Sequence, residues 1–380
     1  MRVLFAIAHL NKGGGQAVQV LQLVRRLAPR VGGELLALRA AGSGETGADD
    51  PEVHVVGDLR FPSGVLRLRR AINERIGSFD LLQVFDPYYS LPAARLTRAR
   101  PLVVRLGAHP VDDFGSRYGT AGKLATRVVN PWLYSGATVV VNADHLRGAF
   151  PGRPVECIPN GVDSSRFHLP RNVEGARATL GLPSGVPIVA FTGKIIPRKN
   201  VEELYWLARE IPSLHLLLLG NDREEYYGDR YHRAVRAAFP DVLPRVHAVG
   251  EVPMGRVPAF LEAADLFVFP SRLEGMPNSI LEAWAAGLPV VAVDTPAHRE
   301  IFRDGAGFLY TDRAELKAHV ATLLDDPGAA KAMGTVGRQH VVDHFSMEAA
   351  SQRYLELYTR ILAQGATRRG EAPASRADLG

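Results

Sequence analysis

Cysteine is all but missing from this chain: Cys157 is the only one in 380 residues. That excludes an internal disulfide and any thiolate-held metal cluster. Long apolar runs are missing as well, and nothing approaches the roughly 20 residues needed to span a bilayer. The opening Met-Arg-Val-Leu-Phe-Ala-Ile-Ala-His-Leu has neither the length nor the cleavage region of a signal peptide, so it reads as a first β-strand. A cytoplasmic location is expected. Lysine is scarce, six of 45 basic residues, which points to a GC-rich, bacterial source and says nothing of mechanism.

What is present is the composition of a globular chain, 46% hydrophobic and 22% charged, long enough for two domains with separate cores. The net charge of +5 is uneven. Residues 1–165 carry 20 Lys and Arg against 14 Asp and Glu, and the remainder 25 against 26. A basic first half suits an anionic partner, a phosphorylated substrate or a membrane face, although solvated arginines alone explain it equally well. No nucleic-acid partner is expected.

Apolar strands alternate with amphipathic helices. The first series has strands at Val3–Leu10, Glu34–Arg39, Val53–Val56, Leu81–Phe85, Leu102–Leu106 and Thr138–Asn142, with a helix Gln16–Ala28 after a Gly-rich turn. After the Pro/Gly-rich stretch 180–187 a second series gives Ile188–Thr192, Leu214–Leu219, Val246–Val249, Leu266–Phe269 and Val290–Val293. Continuous apolar strands between helices predict parallel sheets covered on both faces. Two series predict an α/β protein of two Rossmann-like, doubly wound domains, 1–165 and 175–346, with ligands in the cleft between them. A helix Met347–Leu362 has an apolar stripe of Tyr354, Leu355, Tyr358 and Leu362 that needs a partner, and it is expected to cross back onto the first domain. Residues 363–380, rich in Gly, Ala, Arg and Ser, are expected to be disordered.

Chemistry concentrates in Ser271-Arg-Leu-Glu-Gly-Met-Pro-Asn-Ser-Ile-Leu-Glu-Ala-Trp-Ala-Ala-Gly287. Asn278 reads as the N-cap of a helix Ser279–Ala286 that Gly287 stops. The N–H groups of Ser279 and Ile280 would then point into the cleft from a positive helix end, a good seat for phosphate. Glu282, one turn in, can accept both hydroxyls of a ribose, and Glu274 can accept hydroxyls of a sugar. Ordinary surface acids around a strand–loop–helix are the plain alternative. In Phe191-Thr-Gly-Lys-Ile-Ile-Pro-Arg-Lys-Asn200, Gly193 permits close backbone approach. Lys194 and Lys199 there can offset the charge that builds on a departing diphosphate.

Three stretches together resemble the retaining glycosyltransferases of family four, which have the two-domain GT-B fold. They are Ile158-Pro-Asn-Gly-Val-Asp-Ser-Ser-Arg-Phe167, Gly193-Lys-Ile-Ile-Pro-Arg-Lys199 and Glu274-Gly-Met-Pro-Asn-Ser-Ile-Leu-Glu-Ala-Trp-Ala-Ala-Gly-Leu-Pro-Val290. The resemblance covers residues 1 to about 362. It implies that Glu274 holds the donor sugar, Glu282 the ribose, and Lys194 and Lys199 the diphosphate. Gly193, Gly275, Met276, Pro277, Asn278, Ser279 and Ile280 would line the donor site. The family usually has arginine where this chain has Lys194, which keeps the charge and loses the bidentate fork.

On the N-terminal side, Lys12-Gly-Gly-Gly-Gln16 resembles the family's Gly-rich loop, with Gly14 and Gly15 approaching the donor phosphates. Val18 stands where G-x-G-x-x-G needs its last glycine, which disfavours a dinucleotide dehydrogenase. His109, after the strand Leu102–Leu106, would contact the donor sugar or the acceptor, or simply shape the loop before Pro110. Asp86 and Tyr88 would line the acceptor pocket, although an apolar packing role for the tyrosines there fits equally well. No Asp-x-Asp sequence occurs, so the metal-carrying motif of the other large glycosyltransferase fold is missing and no metal or other cofactor is expected. The function implied is transfer of a sugar from a nucleotide-diphosphate sugar, expected to be a UDP-sugar, to an acceptor hydroxyl with retention. A nucleotide-sugar epimerase of related fold is the alternative, and a non-catalytic sugar-binding protein ranks third. The basic amphipathic segment Arg60–Ile76 could lie on an anionic membrane, but a helix covering the sheet is needed just there. A small-molecule or glycan acceptor is therefore favoured over a lipid one.

Overall fold

The computed structural model describes residues 1–9, 15–39, 53–58, 60–97, 99, 101–221 and 229–370. Its first half runs β1 (Val3–His9), α1 (Gly15–Val31), β2 (Glu34–Arg39), β3 (Val53–Asp58), α2 (Ser63–Arg75), β4 (Leu81–Val84) and α3 (Ser90–Arg95). It continues with β5 (Leu102–Leu106), α4 (Pro110–Leu133), β6 (Thr138–Val141) and β7 (Val155–Cys157). The second half runs α5 (Val173–Leu180), β8 (Ile188–Thr192), α6 (Glu202–Glu210), β9 (His215–Leu219), α7 (Arg230–Ala238), β10 (Val246–Gly250) and α8 (Val257–Glu262). Then come β11 (Leu266–Phe269), α9 (Asn278–Ala285), β12 (Val290–Val293), α10 (Pro296–Ile301), β13 (Gly307–Tyr310), α11 (Arg313–Asp325), α12 (Pro327–His344) and α13 (Met347–Gly370).

The strands form two sheets, ordered β3-β2-β1-β4-β5-β6-β7 and β10-β9-β8-β11-β12-β13. Every pairing is parallel. In each sheet the chain starts near the middle, runs to one edge, then returns past its first strand. The order therefore reverses beside β1 and again beside β8, and a crevice opens at the carboxyl ends of the strands there. The strands β4, β5, β8, β11 and β12 are buried along their whole length, which is why they read as unbroken apolar runs. β7 and β13 were not legible: Val-Glu-Cys and Gly-Phe-Leu-Tyr are too short and mixed to stand out.

Two helical layers cover the first sheet. α1 packs on one face with α13, whose Met347, Tyr354, Leu357 and Tyr358 join a core with Val3, Phe5, Val20 and Val24. The Tyr358 hydroxyl donates to Oε1 of Gln83 at the sheet. Compared with the expected stripe, Leu357 is buried where Leu355 is only half-buried, so the contact face is turned by a fraction of a turn. α13 also runs on to Gly370, so the tail expected to be disordered from 363 is helical that far; Ala and Arg in 363–369 are good helix formers. Residues 371–380 lie outside the described residues.

On the other face, α2 buries Val65, Leu68, Ala71 and Ile72 against the sheet. Its arginines are occupied on the rim: Arg69 Nε donates to the Leu96 carbonyl at 3.1 Å, and Arg70 Nε to Glu74 at 2.8 Å. The segment Arg60–Ile76 is thus the covering helix, with its apolar stripe already used.

Candidate functional site

The loop after β11 and the start of α9 stand at the crevice. Pro277 stands at the N-cap position of α9 in an extended conformation and makes no side-chain cap hydrogen bond. Asn278, expected to be the cap, instead accepts from Asn160 Nδ2 at 2.5 Å. The Ile280 N–H is bonded to the Pro277 carbonyl at 3.1 Å, so Ile280 does not present it to the cleft; the helix end belongs to Asn278 and Ser279. Ser279 Oγ donates to the Thr192 carbonyl at 2.8 Å, which ties the helix end to the end of β8.

Glu274 and Lys199 meet there. Lys199 Nζ lies 2.5 Å from Glu274 Oε1, and both side chains are nearly buried. Ser271 Oγ donates to the same carboxylate oxygen. The ammonium also lies 4.9 Å from the Phe269 ring centroid, a cation–π contact. Burial alone would raise the Glu274 pKa; the charges of Lys199 and Arg198 and the two hydrogen bonds overcome it, so the carboxyl is held below its ordinary value. Glu274 is therefore an ionised acceptor in a poorly solvated place. Lys199, expected to serve a diphosphate alone, has this carboxylate as its first partner.

Glu282 is different. It is half-buried on α9, and burial pushes its carboxyl up to about 7, with Arg166 opposing. A carboxyl so placed gains from hydroxyl donors that restore its charged form. Lys194 is exposed on the loop after β8; burial chiefly lowers the Lys199 ammonium pKa, and the charges of Arg198 and Lys194 add to it. That loop turns through Gly193 at φ 148°, a region that favours glycine.

The first domain closes against this loop. A Cβ on Gly275 would overlap the Gly107 carbonyl oxygen, so only glycine lets the loop touch the end of β5. Asn160 bridges the two sides. Its backbone N–H points at Met276 Sδ at 3.1 Å, its Nδ2 donates to Asn278, and its Oδ1 accepts from buried Arg105. Asn142 Nδ2 approaches the same oxygen at 3.4 Å. A second clasp lies nearby: Glu300 on α10 accepts from the N–H groups of Asp144 and His145, and its Oε2 is 2.7 Å from His145 Nδ1.

His109 is half-buried between β5 and α4, on the loop that begins with Gly107. Tyr88 is half-buried after β4. Asp86 requires a correction. Its buried carboxylate accepts from the N–H groups of Ala8 at 2.7 Å, Tyr89 at 2.7 Å, Ser90 at 3.0 Å and Tyr88 at 3.1 Å. It fastens the start of α3 to β1, and an acceptor molecule would have to displace that network. Gly15 is the first residue of α1, and Gly14 lies outside the described residues.

Ser271, Asn160 and His298 were missed as site residues. Asn160 stood in a quoted motif, but nothing in a sequence shows that its amide crosses to another domain. His298 is buried beside Phe269, with Nδ1 2.5 Å from the Val293 carbonyl and no partner for Nε2. Burial holds its pKa below the ordinary value.

Two doubly wound parallel sheets facing one crevice, with the last helix returned to the first sheet, define the GT-B architecture. Residues 172–340, a little under half of the chain, match the family described as glycosyl transferases group 1, so the second half resembles that family. It is 30% identical over 224 residues to a GDP-mannose-dependent monoacylated α-(1-6)-phosphatidylinositol monomannoside mannosyltransferase of Corynebacterium glutamicum, a match covering 55% of this chain and 57% of that one. The chain thus spans little more than half the length of that relative. A GDP-mannose-dependent α-(1-6)-phosphatidylinositol monomannoside mannosyltransferase of Mycolicibacterium smegmatis is 28% identical over 326 residues, covering 79% and 81%. Among solved structures, sucrose-phosphate synthase of Thermosynechococcus elongatus superposes with a TM-score of 0.81 at 22% identity, covering 96% of this chain and all of that one.

Proposed function

We propose that this chain transfers a sugar from a nucleoside-diphosphate sugar to an acceptor hydroxyl, with retention at the anomeric carbon and without a metal. The observation that carries the proposal is the Lys199–Glu274 pair beside the α9 end, one cation and one ionised carboxylate on a single crevice. Glu274 would accept sugar hydroxyls while Lys199, Lys194 and the helix end face the diphosphate. Glu282 would accept the ribose diol, and Gly193, Gly275, Met276 and Pro277 would line the site. As the anomeric C–O bond breaks, its electron pair passes to the diphosphate oxygen, and the cations stabilise that charge. The acceptor hydroxyl attacks on the same face, and its proton goes to the departing phosphate oxygen. No protein nucleophile is needed. His109 and Tyr88 stand on the acceptor side.

The names of the relatives support a nucleotide-sugar donor, GDP-mannose in both mannosyltransferases. The UDP-sugar expected from the sequence and GDP-mannose are therefore the two arms of the test. The enzyme is incubated with each donor in EDTA, with and without candidate acceptors, and products are read by mass and by the anomeric coupling in NMR. Transfer or slow hydrolysis of one donor, with the α configuration kept, is expected. Isomerisation of the donor alone, or a strict requirement for a divalent ion, would contradict the reading.

A further inference from the structure

Among the described residues, seven of the fourteen large apolar side chains left exposed sit on one layer, the α2–α3–α4 face of the first domain. α4 is broken at Gly119, whose backbone is not helical, and its second limb, 120–133, turns an apolar stripe outward. Leu124 is 65% exposed, Val128 72% and Trp132 55%, at four-residue spacing along one side. The limb is anchored where Leu133 and Tyr134 enter the core. Leu96 and Leu66 continue the patch, joined to it where Arg69 of α2 donates to the Leu96 carbonyl.

On α3 and α4 its charge is mostly of one sign, while on α2 Glu74 is paired with Arg70. From Pro87 to Ala143 the only acids are Asp112 and Asp113, against seven lysines and arginines, of which Arg105 is buried. Lys123 and Arg127 are exposed beside the stripe. The Arg95 guanidinium lies 5.4 Å from the Trp132 ring centroid and donates to the Ser135 carbonyl at 2.8 Å. An exposed apolar ridge edged by tryptophan and cations, with no nearby acid on its limb, has the character of a helix that lies in a lipid interface. A second copy of the chain would bring the same cations against themselves.

We propose that this layer docks on an anionic lipid bilayer, through Leu124, Val128 and Trp132 with Lys123 and Arg127. The membrane contact considered for Arg60–Ile76 thus moves to a different helix, since the stripe of α2 is spent on the sheet. The inference stands apart from the transferase reading.

The full chain is sedimented with phosphatidylcholine vesicles with and without phosphatidylglycerol, at low and high salt. Binding to the anionic vesicles alone, weakened at high salt, is expected. Lys123→Glu/Arg127→Glu should lower the vesicle affinity by at least about tenfold, and Leu124→Ser/Val128→Ser should do the same. Nucleoside-diphosphate affinity, measured in parallel, should be unchanged in both, which separates this result from any failure of the donor site. Wild-type chain that stays in the supernatant, or variants that bind as well as wild type, would overturn the proposal. So would a wild-type dimer without vesicle binding that Leu124→Ser/Val128→Ser dissolves, since the face would then be a contact between copies.

Discussion

Glu274 has two partners that differ in kind. Lys199 and Ser271 keep it ionised in the resting protein, and a sugar hydroxyl would become a third. Glu274→Ala should cut turnover by at least about a hundredfold, the scale of one lost transition-state contact. It also strands Lys199 among apolar neighbours, a loss of about 3–5 kcal/mol that should appear as a lower melting temperature. Glu274→Gln keeps the shape and a hydrogen-bond acceptor, so it should recover stability before activity. Turnover of either variant like that of wild type would remove Glu274 from the site. Glu282 gives a prediction in pH. Its carboxyl, raised to about 7, is largely protonated below that value, and a ribose diol donates best to the ionised form. Nucleoside-diphosphate affinity should therefore rise with pH up to about 7 and level off, with proton release on binding below it. In Glu282→Gln only the titration of the phosphate itself should remain. The same shift means that the fold loses stability as pH climbs from the ordinary carboxylate range through about 7, because the charged form is the poorly solvated one. Calorimetry in two buffers of different ionisation heat measures the proton count.

At the scale of elements, the strands were legible because a parallel sheet buried on both faces demands unbroken apolar runs, as in Leu266–Phe269. Their parallel pairing was legible too, from the alternation with helices. What escaped was what one element does to another: Asn278 gives its Oδ1 to Asn160 of the other domain, and Asp86 was spent on backbone N–H groups. Both depend on residues more than seventy positions away or on a turn whose geometry the sequence leaves open. The return of α13 leads to a test by truncation. A chain ending after Gln364 should melt within a few degrees of the full one. A chain ending after Ser346 loses Met347, Tyr354, Leu357 and Tyr358 from the core, each worth about 1.5–3 kcal/mol of burial, and should fail to fold. The Glu300 clasp joins the domains without touching the donor residues, so Glu300→Ala should lower kcat while leaving nucleoside-diphosphate affinity nearly intact. Loss of nucleotide affinity in that variant would show that Glu300 supports the donor site itself.

Over the whole molecule, the two halves divide the work by charge and by packing. The second sheet carries the pair, the helix end and both glutamates. The first carries the basic, apolar-edged surface and meets the second through Gly107 against Gly275, through Asn160 and through the Glu300–His145 clasp. If the crevice binds the diphosphate as argued, nucleotide recognition should depend on the cations and not on a metal. The most direct measurement is calorimetric titration of UDP and of GDP, in EDTA, into wild type and into Lys194→Ala and Lys199→Ala. Saturable one-to-one binding of one of the two nucleotides by wild type is expected, weakened in each variant while circular dichroism shows the fold intact. Binding of neither nucleotide, or equal binding by all three proteins, would contradict it.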